Sequence, residues 1–172
     1  YLFTSILYSK FLKYFKFLDI IIISIFFVFR AYLGSLGSEI NISIYLLLII
    51  FFSSLAVVVG KKLSILLDDN IVESAVKTAI KKNYSTRFLG AALQVFFGLT
   101  LVTFNIWIFT NINASENIFI ISNILLLFFC IKFYKLTIQS KTEDFITALK
   151  NDRLLMLTFI FFIFFTMLGI LF

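Results

Sequence analysis

The feature that most restricts this chain is a series of long, predominantly apolar runs, near 17–37, 42–59, 88–110, 117–134 and 154–172. Each reaches the ~18 residues that carry a helix across a bilayer. Of the 172 residues 62% are hydrophobic, more apolar surface than a soluble chain of this length can hide. The runs are continuous, whereas the strands of a membrane barrel alternate over roughly 10 residues. No proline is present to break a helix. The expected fold is therefore all-α: a polytopic transmembrane helix bundle with five full spans. Ahead of them the apolar stretch Tyr1–Leu7 is only about 10 Å long as a helix, and it reads as a partial N-terminal span. On that reading residues 1–172 are the C-terminal part of a single transmembrane domain in a longer protein. No basic leader or small-residue cleavage site precedes the stretch, so a signal peptide is not expected.

Between the spans the charges separate by side. Segment 8–16 carries Lys10, Lys13 and Lys16, and segment 60–87 carries Lys61, Lys62, Lys77, Lys81, Lys82 and Arg87. Segment 132–153 carries Lys132, Lys135, Lys141, Lys150 and Arg153. The alternate turns, 38–41 and 111–116, have only Glu39 and Glu116 as charged residues. By the positive-inside rule the lysine-bearing side is cytoplasmic. The C-terminus then faces outward from a plasma (inner) membrane. The net charge of +6 follows from that topology, and nucleic acid is not expected as a partner.

Missing residue types narrow the chemistry. With no histidine, imidazole is excluded as base, proton shuttle, and haem or zinc ligand. The single cysteine, Cys130, rules out an internal disulfide and a cysteine metal cluster. Any divalent metal would be held by oxygen atoms, which favours Mg²⁺ or a similar hard cation.

Two longer basic-side connections have helical character. Asp69, Glu73, Lys77 and Lys81 recur every four residues, acidic first and basic last, which suits i,i+4 pairing and the macrodipole. With Val72, Ala75, Val76, Ala79 and Ile80 as its apolar face, the segment predicts an amphipathic helix at about 71–82. It would lie over the cytoplasmic mouth of the bundle or anchor in the interface. A second short helix is expected from Thr142 to Lys150, with Thr142 as its N-cap. Asn151 or Asp152 would then start the last span.

The first full span contains FLDIIIISIFFVFRAYLG, residues 17–34, with Asp19 and Arg30 as its charges. A charge at the bilayer centre costs about 2.5–3.5 kcal/mol on the insertion scale. The two fall on nearly the same helical face but are roughly 16 Å apart along the axis, too far to pair. Asp19 reads either as an interfacial cap compensated by Lys16 or as a functional carboxylate. Arg30 reads either as a structural lock or as the lining of a polar cavity. Gly34 and Gly37, on or near that face, would let another helix approach closely. Asn105 and Gln94, polar residues in a later span, suggest helix–helix hydrogen bonds.

Four segments occur in order: YSKFLKYFKFLD (8–19), FVFRAYLG (27–34), GKK (60–62) and EDFITALKNDRLLML (143–157). Together, and over essentially the whole chain, they resemble the UbiA-type membrane prenyltransferase superfamily. Within it the likeness is to the decaprenyl-phosphate phosphoribosyltransferase-like branch. That branch shows a Y-S-x-x-L-K segment, an Asp six residues on, an F-V-x-R-A-x-x-G span, a G-K-R turn and a late E-D…D-R motif. The resemblance implies a nine-helix fold with a cytoplasmic active site, of which this chain would supply the last six helices. The first Asp-rich motif, which holds Mg²⁺ and diphosphate in the family, would lie upstream, so this chain alone is expected to be inactive.

The implied reaction moves a 5-phosphoribosyl group from phosphoribosyl diphosphate to a polyprenyl phosphate and releases diphosphate. Carried over by position, Asp19 and Lys13 are the catalytic candidates. Tyr8, Lys61, Lys62 and Arg30 are the substrate-binding candidates, and metal ligands are unassigned. Lys62 stands where the branch has Arg, which keeps the charge but loses bidentate phosphate geometry. Ile65 stands where the branch usually has Glu. The alternative within the superfamily is prenyl transfer from a diphosphate to an aromatic acceptor. The absence of an N-D-x-x-D motif after the second span counts against it, because that chemistry needs carboxylates for a second metal. A non-enzymatic transport or assembly subunit would show polar residues in several spans and an internal repeat, whereas only the first full span carries charges at depth and no repeat is visible. Homo-oligomer formation is left open.

Overall fold

The computed structural model describes residues 17–38, 42–68, 75–110, 116–142 and 145–171. They form α1 (Leu18–Ser38), α2 (Ile44–Leu67), α3 (Ala75–Asn83), α4 (Thr86–Thr110), α5 (Glu116–Ile138), α6 (Phe145–Asn151) and α7 (Arg153–Leu171). Among the described residues there is no strand. Helices α1, α2, α4, α5 and α7 are long and apolar enough to cross a membrane, so the polytopic all-α architecture expected from the apolar runs is the one observed. Between 17% and 28% of each apolar stretch is buried. Others, such as Ile49, Phe52 and Phe129, are half-buried against the core, and the exposed apolar side chains face outward, as they do in a bundle whose solvent is lipid.

The helices form a connected series. α1 packs on α2, α2 packs on α4, α5 joins both α2 and α4, and α7 lies against α5. The short helices α3 and α6 sit at the lysine-rich end, against α2 and α7 respectively. Leu55, Ala56, Val59 and Leu63 of α2 and Leu89 and Leu93 of α4 are all buried. Aromatic contacts extend this core: Trp107 of α4 meets Phe119 of α5 edge-on at 6.0 Å, and Phe104 meets Phe162 of α7 at 5.4 Å. Several buried hydroxyls are satisfied within their own helices. Ser24 donates to the Ile20 carbonyl at 3.0 Å and Thr100 to that of Phe96 at 2.8 Å. Backbone groups of the same helix accept what no water can reach.

The close approaches fall elsewhere than expected. A Cβ added at Gly34 or Gly37 would meet nothing within 4 Å, so among the described residues these glycines bring no helix close. Gly60 and Gly169 do: an added Cβ would lie 2.9 Å from the ring of Phe133 in one case and of Phe119 in the other. Between α4 and α5 the Asn123 side-chain amide donates to Asn105 Oδ1 at 2.6 Å, the interhelical bond expected of Asn105. Gln94 is exposed instead.

Helix ends also differ from expectation. The G-K-K segment is not a turn, because α2 continues through it to Leu67. No glycine has positive φ among the described residues, and the buried Leu63 and Ser64 make continuation favourable. α5 runs on to Ile138 and stops in a Schellman-type cap. There Ser140 is at φ 57°, Lys141 N–H bonds the Leu136 carbonyl, and Ser140 N–H bonds that of Thr137. Of the expected amphipathic helix, Ala75–Asn83 is described and residues 69–74 lie outside. Of its expected apolar face, Ile80 is buried and Val76 and Ala79 are exposed. The following helix is described from Phe145, and residues 143 and 144, where a cap by Thr142 would act, lie outside the described residues. The Thr142 hydroxyl donates to Thr137 Oγ1 at 3.0 Å and its N–H to Ser64 Oγ at 3.2 Å, tying the connection to α2 and α5.

Candidate functional site at the basic end of the bundle

Asp19 stands in the first turn of α1. Its Oδ1 accepts the Ile20 N–H at 2.9 Å and the Tyr84 hydroxyl at 2.8 Å. Its Oδ2 accepts the ammonium of Lys62, from α2. That ammonium also lies 4.5 Å from the centre of the Tyr84 ring, a cation–π geometry. Tyr84 Oη in turn accepts the Phe17 N–H at 2.8 Å. One tyrosine therefore touches the start of α1, the acid and the base.

Local sequence explains how the parts arrive. Because α2 does not stop at residue 59, its next turn carries Lys62 towards α1, whereas Lys61, about 100° further round the helix, is exposed. Tyr84 closes α3 through its N–H bond to the Ile80 carbonyl at 2.8 Å and is 6% exposed. Phe17 adopts φ 67°, a conformation rare for bulky residues. Edge-on contacts with Tyr84 at 5.4 Å and Phe88 at 5.2 Å hold it there together with the Tyr84 bond. The side chains of Lys62 and Asp19 are 13% and 14% exposed, shielded from bulk solvent yet reachable.

A second ion pair lies at the same end. Asp152 caps α7 by accepting the Leu155 N–H at 2.9 Å, and Lys132 of α5 approaches it at 2.9 Å. Desolvation pushes its carboxyl up, but the Leu155 N–H, the Lys132 ammonium and the Leu154 N–H outweigh that and hold it below the ordinary carboxylate value. Nearby, Lys77 of α3 donates to the Asp68 carbonyl at the end of α2.

Of the candidates taken from the sequence, Asp19 and Lys62 come together. Tyr8, Lys13 and the expected compensating Lys16 lie outside the described residues. Arg30 is exposed on α1, roughly 16 Å along the axis from Asp19. The nearby groove between α1 and α2, about 190 Å³ in volume, is lined by apolar side chains such as Ile25, Phe29, Leu48 and Phe51. Tyr84 was not a candidate. Its only sequence signal is an aromatic with a hydroxyl at a lysine-rich helix junction, which needs a partner once buried.

The resemblance places the Mg²⁺ ligands in a motif upstream of this chain, and the described residues offer no such cluster of their own. No three His, Cys, Asp or Glu side chains converge among them. Both oxygens of Asp19 are engaged by nitrogen or hydroxyl donors. Fold and site together define a polytopic helical membrane protein with a reachable acid–base–phenol cluster at its basic end. No protein-family model and no curated protein matches the chain.

Proposed function

We propose that the chain is the C-terminal part of a UbiA-type membrane transferase that moves a 5-phosphoribosyl group from phosphoribosyl diphosphate to a polyprenyl phosphate. The observation that carries this reading is the meeting of Asp19 with Lys62. They are 43 residues apart and come from two separate segments of the ordered resemblance, which treats both as parts of one cytoplasmic site. In the proposed reaction an oxygen of the lipid phosphate bonds ribose C1 as the C1–O bond to diphosphate breaks. Lys62, with the exposed Lys61 beside it, meets the negative charge of the diphosphate, where a positioned cation stabilises the departing group. Asp19 orients Lys62 or a ribose hydroxyl. Arg30 braces the wall of the bundle further into the membrane. Mg²⁺ belongs to this proposal only through the first Asp-rich motif of the family, which is not among these 172 residues. The lysine-rich end would face the cytoplasm of a plasma (inner) membrane and the C-terminus would face outward.

Membranes carrying the full-length protein should transfer labelled phosphoribose from phosphoribosyl diphosphate to polyprenyl phosphate faster than they prenylate 4-hydroxybenzoate. Prenylation alone would replace the proposed reaction by aromatic prenyl transfer. Neither product would remove the enzyme reading altogether.

A further inference from the structure

We propose that Asp19 is the built-in counter-ion of Lys62 and yields the ammonium to a phosphoryl anion, while Tyr84 keeps both residues in position during the exchange. The inference rests on the proposed reading of Lys62 as a phosphate contact, and it concerns how that contact is kept ready and released.

The division of bonds on Asp19 permits such an exchange. Lys62 uses Oδ2, whereas Tyr84 and Ile20 use Oδ1. When Lys62 turns to another anion, the carboxylate loses its counter-charge but keeps two hydrogen-bond donors, so it is not left without polar partners. Lys62 also keeps a partner, because its ammonium rests on the Tyr84 ring at 4.5 Å independently of the carboxylate. The exposure of both side chains, 13% and 14%, gives an anion access to the ammonium. A phosphoryl group carries more negative charge than a carboxylate and more acceptor oxygens, so it competes for Lys62 on favourable terms. Two anions close to one ammonium repel each other, which makes Asp19 a competitor rather than a helper in binding. Tyr84 is thus a positioning residue: its hydroxyl anchors Asp19 and its ring anchors Lys62.

The phosphoryl anion could arrive as a soluble diphosphate or as a lipid phosphate, and separate titrations tell them apart. Full-length protein in nanodiscs is titrated with inorganic pyrophosphate and, separately, with dihexanoyl phosphatidate, using calorimetry. D19N keeps an acceptor for Tyr84 and Ile20 but has no charge, and it should tighten binding of at least one probe about tenfold. Y84F keeps the ring but frees Asp19 to follow Lys62, and it should weaken the same binding about threefold. K62Q should abolish it. Tightening with pyrophosphate alone supports a soluble diphosphate as the ligand, and with phosphatidate alone a lipid phosphate. Equal or weaker binding by D19N, unchanged binding by K62Q, or no saturable binding by wild type and D19N alike would overturn the proposal. If D19N melts unfolded in detergent, Y84F carries the test, and equal or tighter binding by that variant overturns it. The titrations need no turnover. A wild type without transferase activity would therefore remove the proposed function while leaving this result to stand or fall separately.

Discussion

The two ion pairs at the basic end, Asp19–Lys62 and Asp152–Lys132, use the same residue types and do different work. Asp152 is accounted for by its place at the start of α7: it caps the helix and faces one lysine. Asp19 also lies at a helix start, but its further partners come from positions 43 and 65 residues away. Tyr84 adds a hydroxyl to the acid and a π-face to the base. A helix start needs neither. Ordering three distant segments around one pair has an entropic cost that a simple cap avoids, which makes the Asp19 cluster the better candidate for function.

Activity should separate the pairs most sharply. In membranes carrying the full-length protein, K62A should lower phosphoribosyl transfer about 100-fold, as loss of a charge-stabilising donor does. K132A should leave the rate within about 2-fold. Comparable losses in both variants would erase the distinction drawn between the clusters.

Stability should show the reverse emphasis. D152A removes a cap worth about 1 kcal/mol and an ion pair worth up to about 1 kcal/mol, so melting in detergent should report a loss of about 1–2 kcal/mol. D152N can still cap and should lose about half as much. The lowered pKa of Asp152 sets the pH dependence. Its charge contributes stability above the unfolded carboxyl value of about 3.9, and that contribution is lost as pH falls through the lower folded value. The gap between wild type and D152N should hold from about pH 7 to 5 and close in stronger acid. A gap that widens on acidification would contradict the assigned direction.

Packing provides two smaller tests away from either pair. G60A places a methyl 2.9 Å from Phe133 and should cost about 1–2 kcal/mol. G34A and G37A meet nothing within 4 Å and should be neutral or slightly stabilising in the same melts. N123L removes the 2.6 Å bond to Asn105 and should cost about 0.6 kcal/mol, the average for such bonds between membrane helices.

Much of the fold was legible because lipid acts on each segment separately. A span must be long, apolar and internally hydrogen-bonded, and those properties can be read one run at a time. Helix ends were less legible. Hydropathy falls at Lys61 and Lys62, yet α2 continues to Leu67 because Lys61 can face outward, Lys62 finds Asp19, and Leu63 and Ser64 are covered. Local sequence offers Asp19 only near neighbours such as Lys16, which lies outside the described residues, whereas Lys62 is 43 residues away. Tyr84 was missed for the same reason, since its partners Asp19 and Phe17 lie 65 and 67 residues away. Helical position points to Gly34 and Gly37, but Gly60 and Gly169 are the glycines that face a ring at contact distance.

What this sequence determined by itself is the number of spans, the all-helical class and the gathering of lysines at one end. Each follows from the composition of a segment against the solvent it must meet. Which lysine faces an acid, which glycine admits a ring and which tyrosine joins them were decided only in the tertiary structure. Those choices depend on the rotation of one helix against another, where a step of one residue, about 100°, separates the paired Lys62 from the exposed Lys61.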